Sequence, residues 1–167
     1  MDVATIRRVG RGVRRYLEEF SDCFGRCDTE SYLAVYVAGQ NSDLQRKSAE
    51  PIALRSGIVP RSLQVFLSSA NWDEERMIDR VQEIVVRDHS HAYAIGLIDE
   101  TGSPKKGAHT ACVHRQWNGN RGKVDNCVVS VHLGYTAGRF HSLLDSDLFL
   151  PKSWANDGER RKRAGIP

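Results

Sequence analysis

"AYAIGLIDETGSPKKG", residues 92 to 107, decides how the chain is read: an apolar run closes on two acids, crosses turn-forming residues and reaches two lysines. "AYAIGLI" is apolar at successive rather than alternate positions, the pattern of a strand covered on both faces, so it is expected to be a central strand. Asp99 then stands at the strand's end, and "TGSP" reads as the turn that brings Lys105 and Lys106 round to face it. Glu100 points away from Asp99 if the strand continues regularly, which gives it a structural role.

Downstream, "NCVVSVHLGY" (126–135) alternates, with Cys127, Val129, Val131, Leu133 and Tyr135 on one face and Asn126, Ser130 and His132 on the other. This predicts a half-exposed strand. The link "TAGR", with Gly138, leads into "FHSLLDSDLFL" and predicts a hairpin of the second and third strands.

Upstream the pattern is helical, and the change falls near His89. Ile6, Val9, Val13, Leu17, Phe20 and Phe24 recur at helical spacing, with arginines and glutamates between them. A second helix is expected at roughly Glu30 to Val37. In "NWDEERMIDRVQEIVV" (71–86), Asn71 is a candidate N-cap with Glu74 three residues on, and Met77, Val81, Ile84 and Val85 form an apolar stripe. Between these helices, Pro51, Gly57 and Pro60 punctuate "EPIALRSGIVPRSLQVFLSS" into two short helices and a tight turn. Leu63, Phe66 and Leu67 share one face of the second, leaving Arg61, Gln64 and Ser68 outward. Such a helix-turn-helix can lay its second helix in a major groove, and the same pattern also serves as a plain corner in a helical bundle.

With 40% hydrophobic and 27% charged residues in 167, the chain can bury a core of one or two small domains. No apolar stretch reaches the length of a membrane span, and "MDVATIRRVGRG" lacks a secretory signal's apolar core, which predicts a cytoplasmic protein with no membrane partner. Cys23, Cys27, Cys112 and Cys127 are then expected as thiols. Cys23 and Cys27 with Cys112 and His114 could supply zinc ligands, but no close paired spacing supports this, and buried thiols are the preferred reading. His89 and His91 fall between the last helix and the first strand, where a linker role suffices. A net charge of +3 names no partner, yet between Glu100 and Asp125 there is no acid, while Lys105, Lys106, Arg115, Arg121 and Lys123 all fall there. A second basic run, "RRKR", occupies 160–163. Such runs usually form solvated faces.

"IDETGSPKKG", "HRQWNGNRGKVDNCVVSVHLGY" and "LLDSDLFLPKSWANDGERRKRAGIP", with "YLEEFSDCFGRCD" and "NWDEER" before them, resemble the insertion-sequence transposases of the DDE superfamily endonucleases, in particular the insertion-sequence 701 group. Trp117, where the family usually has tyrosine, and Ser103, where a larger apolar residue is common, depart from the pattern. The resemblance implies an α+β chain. Residues 1–88 would form a helical, helix-turn-helix-like DNA-binding region, and residues 92–167 the N-terminal part of a ribonuclease-H-like catalytic domain with its first three strands. It matches Asp99 to the first catalytic and metal-binding aspartate, and it puts Asp145 and Asp147 on the third strand, away from the site. On spacing alone Asp99 could equally be a turn or capping acid.

The implied chemistry is metal-dependent DNA strand cleavage and transfer in cut-and-paste transposition, with two Mg²⁺ (or Mn²⁺) ions roughly 3.5 to 4 Å apart flanking the reacting phosphodiester. The implied partner is double-stranded DNA at the transposon's terminal inverted repeats. Lys105, Lys106, Arg115, Arg121 and Lys123 would contact phosphates, Arg61 and Gln64 would read bases, and a homodimer is a candidate assembly in a bacterial, nucleoid-associated setting. In the family the second aspartate and the glutamate lie beyond the equivalent of Pro167. The chain is therefore expected to be truncated, binding DNA with an incomplete active site and weak metal binding of its own. The alternatives are a DNA-binding regulator that competes at transposon ends, and a degenerate fragment.

Overall fold

The first helix, α1 (Val3–Glu18), starts where Asp2 accepts a hydrogen bond from the Thr5 amide at 2.7 Å. That bond holds the Asp2 carboxyl below its usual range and satisfies one of the donors a helix leaves open at its N-terminus. The computed structural model describes residues 2–25 and 27–166, and the side chains of Val3, Ile6, Cys27 and Asp28 are outside the described set, so the readings of Ile6 and Cys27 fall outside it as well. The chain forms two compact units, Met1–Arg80 and Val81–Pro167, and the division falls inside the fifth helix.

In the first unit, α1 is followed by a 3-10 turn (Ser21–Cys23), α2 (Cys27–Gln40), α3 (Ala49–Arg55), α4 (Pro60–Ser68) and the opening turns of α5 (Glu74–His89). The sequence punctuation works as expected here: Pro51 lies in the first turn of α3, Gly57 takes the left-handed conformation (φ 69°) that ends it, and Pro60 opens α4. The core is Phe20, Cys23, Phe24, Ile52, Ala53, Leu63 and Phe66. Phe24, Tyr32 and Trp72 ring Phe66 at centroid distances of about 6 Å. Three expectations change. Helix α2 is longer than Glu30 to Val37, and the carboxylate at the start of α5 is Asp73, which accepts from the Arg76 amide at 2.8 Å, in place of Asn71. Leu67, expected on the buried face, is exposed.

Gly39 is where α2 touches α3: a Cβ there would stand 2.6 Å from Cγ1 and 2.9 Å from Cβ of Ile52, which is fully buried. Alanine in mid-helix ordinarily gains about 1 kcal/mol over glycine. Overpacking against a β-branched residue that cannot retreat costs about 1 to 3 kcal/mol. Gly39→Ala should therefore lower stability in a urea titration by up to about 2 kcal/mol; a gain would show that α2 and α3 part without strain.

The second unit is a four-stranded antiparallel sheet with two short helices: β1 (Ile95–Pro104), β2 (His114–Asn118), β3 (Lys123–Ala137), β4 (Phe140–Leu148), α6 (Lys152–Ala155) and α7 (Gly158–Arg163). Strand β3 bonds to all the others. β1 runs along one side, from Ile95↔Thr136 to Pro104↔Cys127, while β2 and β4 share the other side. The β3–β4 hairpin turns through Gly138 (φ 61°), as expected. Strand β2 was not anticipated.

The reading of the opening stretch changes most. β1 is an edge strand bonded only to β3, and its apolar side chains are exposed, Ile98 by 78%. The residues read as a turn are extended: Thr101 to Pro104 pair with Ser130 to Cys127, so Asp99 is in the middle of the strand. Gly102 is there for close approach, since a Cβ would stand 2.7 Å from Oδ1 of the fully buried Asn118. β3 likewise departs from the half-exposed pattern, because Cys127, Val128 and Val129 are all buried. The core of this unit therefore sits at that end of the sheet, where Cys112, Val113, Val128 and Trp154 cluster with Leu150 and Ile166.

His89 does more than link. Its ring stacks on Phe140 with centroids 3.5 Å apart, and its carbonyl accepts from the Tyr135 hydroxyl at 2.7 Å, fixing the end of α5 to the β3–β4 hairpin.

Candidate nucleic-acid interface and carboxylate site

Directly opposed residues in an antiparallel sheet share a face, so the register assigns the neighbours of Asp99. It pairs with His132, and His132 pairs with Ser146, one row across β1, β3 and β4. Leu97, Thr101, Ser130 and Val128 share that face. Glu100, Asp145 and Asp147 pair with or oppose Val131 and Leu133 and belong to the other face.

The Asp99 row is polar. The His132 ring is held from both ends, by Ser130 Oγ at 2.9 Å from Nε2 and by Ser146 Oγ at 2.7 Å from Nδ1. The Ser130 hydroxyl also donates to the Thr101 carbonyl at 3.4 Å, which leaves its oxygen able to accept from Nε2–H. Asp99 Oδ1 accepts from the Glu100 amide at 2.8 Å, the carboxylate is exposed, and no protein cation pairs with it among the described residues. Chemically this is one oxygen ligand on a rigid strand, beside an open sheet edge. No group of three or more His, Cys, Asp or Glu side chains converges to hold a metal among the described residues.

The predicted phosphate contacts gather elsewhere on the sheet. Lys105 and Lys106 follow the end of β1, where the Lys105 amide donates to the Asn126 carbonyl and the Asn126 side chain donates back to Lys105 and Gly107 carbonyls at 3.2 and 2.6 Å. Arg115 pairs with Asn126 from the β2 side. Arg121, in the 3-10 turn Gly119–Arg121 that precedes β3, and Lys123, the first residue of β3, lose part of their charge to Asp125, at 2.9 and 4.0 Å. All five basic residues thus meet at one end of the sheet. From Asp99 to Lys105 is six extended residues, about 20 Å, so the lysines do not face the carboxylate as the turn reading required.

In the first unit, Arg61 and Gln64 are exposed on α4, whose other face buries Leu63 and Phe66. A stronger basic feature went unread. Arg7, Arg8, Arg11, Arg14 and Arg15 of α1 are all exposed. At 3.6 residues per turn they fall within an arc of about 120° along about 12 Å of helix. The signal was in the sequence: no acid interrupts residues 3 to 17, and the arginines recur with the helix period opposite Val9, Val13 and Leu17.

Charged groups outside these surfaces have structural roles. Burial alone would raise Asp22, but hydrogen bonds from Arg76 and Arg80 and their charges outweigh it and hold the carboxyl low, fastening α5 to the 3-10 turn. Cys23, Cys112 and Cys127 are buried free thiols, and burial pushes Cys23 and Cys112 up. His114 Nδ1 meets Ser153 Oγ at 3.3 Å. No described helix is long and apolar enough to cross a membrane.

Comparison with known proteins gives this geometry a context. Residues 19–167 match the family model for the DDE superfamily endonuclease. The chain is also similar to a probable transposase for insertion sequence element IS701 from Microchaete diplosiphon, with 35% identity over 133 residues, covering 78% of this chain and 34% of that protein. It thus spans about a third of the length of this curated relative. No solved structure matches the chain.

Proposed function

Since the chain belongs to the DDE superfamily endonuclease family, we propose that it acts in cut-and-paste transposition, holding the DNA of transposon terminal repeats and supplying Asp99 as the first carboxylate of a strand-cleaving site. The observation that carries this reading is Asp99 itself: an unpaired, exposed carboxylate in mid-strand, on an edge strand whose antiparallel partner β3 bonds β4 along its other side, an arrangement that suits the ribonuclease-H-like sheet of this reading. The open edge of β1 is where that fold adds a further strand. The same edge supports a homodimer in this reading.

Asp99 fits a Mg²⁺ or Mn²⁺ ion as one ligand among several. Mg²⁺ is held by one or two carboxylates together with substrate phosphates, and keeps several waters. When bound, such ions polarise the phosphodiester and stabilise the attacking and leaving oxygens. The chain's own contribution is position: β1 fixes the carboxylate on a strand, in one row with the hydrogen-bonded pair His132 and Ser146.

DNA would be held by surfaces in both units. The exposed arginines of α1 and the basic end of the sheet suit phosphates, and α3–α4 suit a helix-turn-helix whose Arg61 and Gln64 read bases. The rival reading, a regulator that occupies transposon ends without cutting, is favoured by one fact: the other sheet acids, Glu100, Asp125, Asp145 and Asp147, lie on the face opposite Asp99.

The test uses this chain, a duplex carrying the terminal repeat, and Mg²⁺ or Mn²⁺. With one carboxylate in the row, wild type and Asp99→Asn should bind the duplex equally and nick it equally little. Nicking by the wild type that Asp99→Asn abolishes would remove the regulator reading and show the site completed by other acids or a second subunit. Equal affinity for terminal-repeat and scrambled duplexes would remove both readings of end recognition.

A further inference from the structure

The "RRKR" run of α7 does not form a plain solvated face. Ala108 and His109, from the loop between β1 and β2, join Trp154 of α6 and Arg160, Arg163 and Ala164 of α7 around a cavity of about 480 Å³. Two guanidinium groups and an imidazole line it, and no acid does. We propose that this cavity seats a backbone phosphate of bound DNA, with Arg160 and Arg163 as its donors; the proposal rests on the DNA-binding reading above.

Arg160 is positioned before any ligand arrives. Its guanidinium lies 3.7 Å from the centroid of the Trp154 ring, and Nη2 donates to the Ala108 carbonyl at 2.9 Å. Trp154 is in turn locked, with its indole N–H on the Val113 carbonyl at 2.8 Å and only 1% of its surface exposed. An arginine side chain ordinarily loses rotamer entropy on binding, and a planar fork already stacked and hydrogen-bonded loses little, which favours bidentate recognition of an oxyanion. Arg163 follows one helical turn later on the same side of α7. The nearby carboxylate of Asp157 is engaged elsewhere, accepting from the Arg160 amide at 2.9 Å.

The location selects DNA as the source of the phosphate. Trp154 clusters with Val128, whose side chain is on the same sheet face as Ser130, His132 and Asp99. Val128 and His132 are four residues apart on an extended strand, about 13 Å. One strand of duplex DNA presents a phosphate about every 3.4 Å of axis, so a strand engaged at Asp99 runs past Val128, on which Trp154 packs, within a few nucleotides. The cavity also exceeds the needs of phosphate alone, leaving room for the attached sugar.

The experiment is a titration of labelled duplex at several salt concentrations with wild type, Arg163→Gln, Arg160→Gln/Arg163→Gln and Lys105→Ala/Lys106→Ala, with thermal midpoints for each. Arg163 is exposed, so its single variant keeps the test valid even if loss of Arg160 loosens Trp154. Each lost phosphate contact should flatten the slope of log affinity against log salt by about 0.9, for terminal-repeat and scrambled duplexes alike. A wild-type slope in both arginine variants, with the lysine variant reduced, would overturn the cavity and leave the DNA reading standing. No salt-dependent binding by the wild type would overturn both. A third arm adds deoxyadenosine monophosphate at constant ionic strength: displacement of tryptophan emission by the mononucleotide, with unchanged duplex slopes, would make this a free-nucleotide site and overturn the DNA assignment.

Discussion

Trp154→Ala should lower the stability of the Val81–Pro167 unit by about 3 to 5 kcal/mol, the loss typical of removing a buried indole. Three losses coincide. The ring fills the cluster of Cys112, Val113 and Val128, its N–H satisfies the Val113 carbonyl, and its face supports Arg160. For a unit of this size each kcal/mol moves the melting midpoint by about 4 to 8 °C, so the variant should melt far below the wild type. Trp154→Phe separates the terms, since it keeps most of the ring volume and orphans the carbonyl, for an expected loss nearer 1 to 3 kcal/mol. Denaturant titration followed by ellipticity measures both. An alanine variant within 1 kcal/mol of wild type would mean that α6 and α7 fold onto the sheet without contributing to it.

Nothing local to Trp154 marks it in the sequence as the centre of a core. Short-range signals were read correctly: Pro51, Gly57 and Pro60 each act on the backbone at their own position, and Gly138 turns a hairpin whose strands adjoin it. What failed depended on partners distant in sequence. "AYAIGLI" shows that a surface favours burial, but not whether these residues cover it, and β1 is an exposed edge. "TGSP" has turn composition, yet β3 extends it, and Gly102 is required by Asn118 sixteen residues on. β2 has no apolar alternation to announce it and exists through pairing with β3. Of the candidate site, Asp99 could be singled out only by family resemblance, since an acid after an apolar run is ambiguous. Its row with His132 and Ser146 required the register, which composition cannot supply.

Neutralising the α1 arginines should produce the largest change in DNA binding. Replacing Arg7, Arg8, Arg11, Arg14 and Arg15 with glutamine leaves helix propensity almost unchanged while removing five positive charges from one exposed arc. If each meets a phosphate, the salt slope should fall by about 4 units, and affinity near 0.1 M salt by about a hundredfold or more, equally for terminal-repeat and scrambled duplexes. Arg61→Ala or Gln64→Ala should instead cost about 1 to 3 kcal/mol each, confined to the cognate sequence and with little change in salt slope. Non-selective loss with a flattened slope is the signature of backbone contacts, and selective loss that of base contacts. A basic amphipathic helix can also lie on an anionic membrane, and Val9, Val13 and Tyr16 are partly exposed on the far side of α1. The same variant titrated with phosphatidylserine vesicles decides between them: vesicle binding lost on substitution, with the duplex salt slope unchanged, would assign α1 to lipid and leave DNA to α4 and the basic end of the sheet.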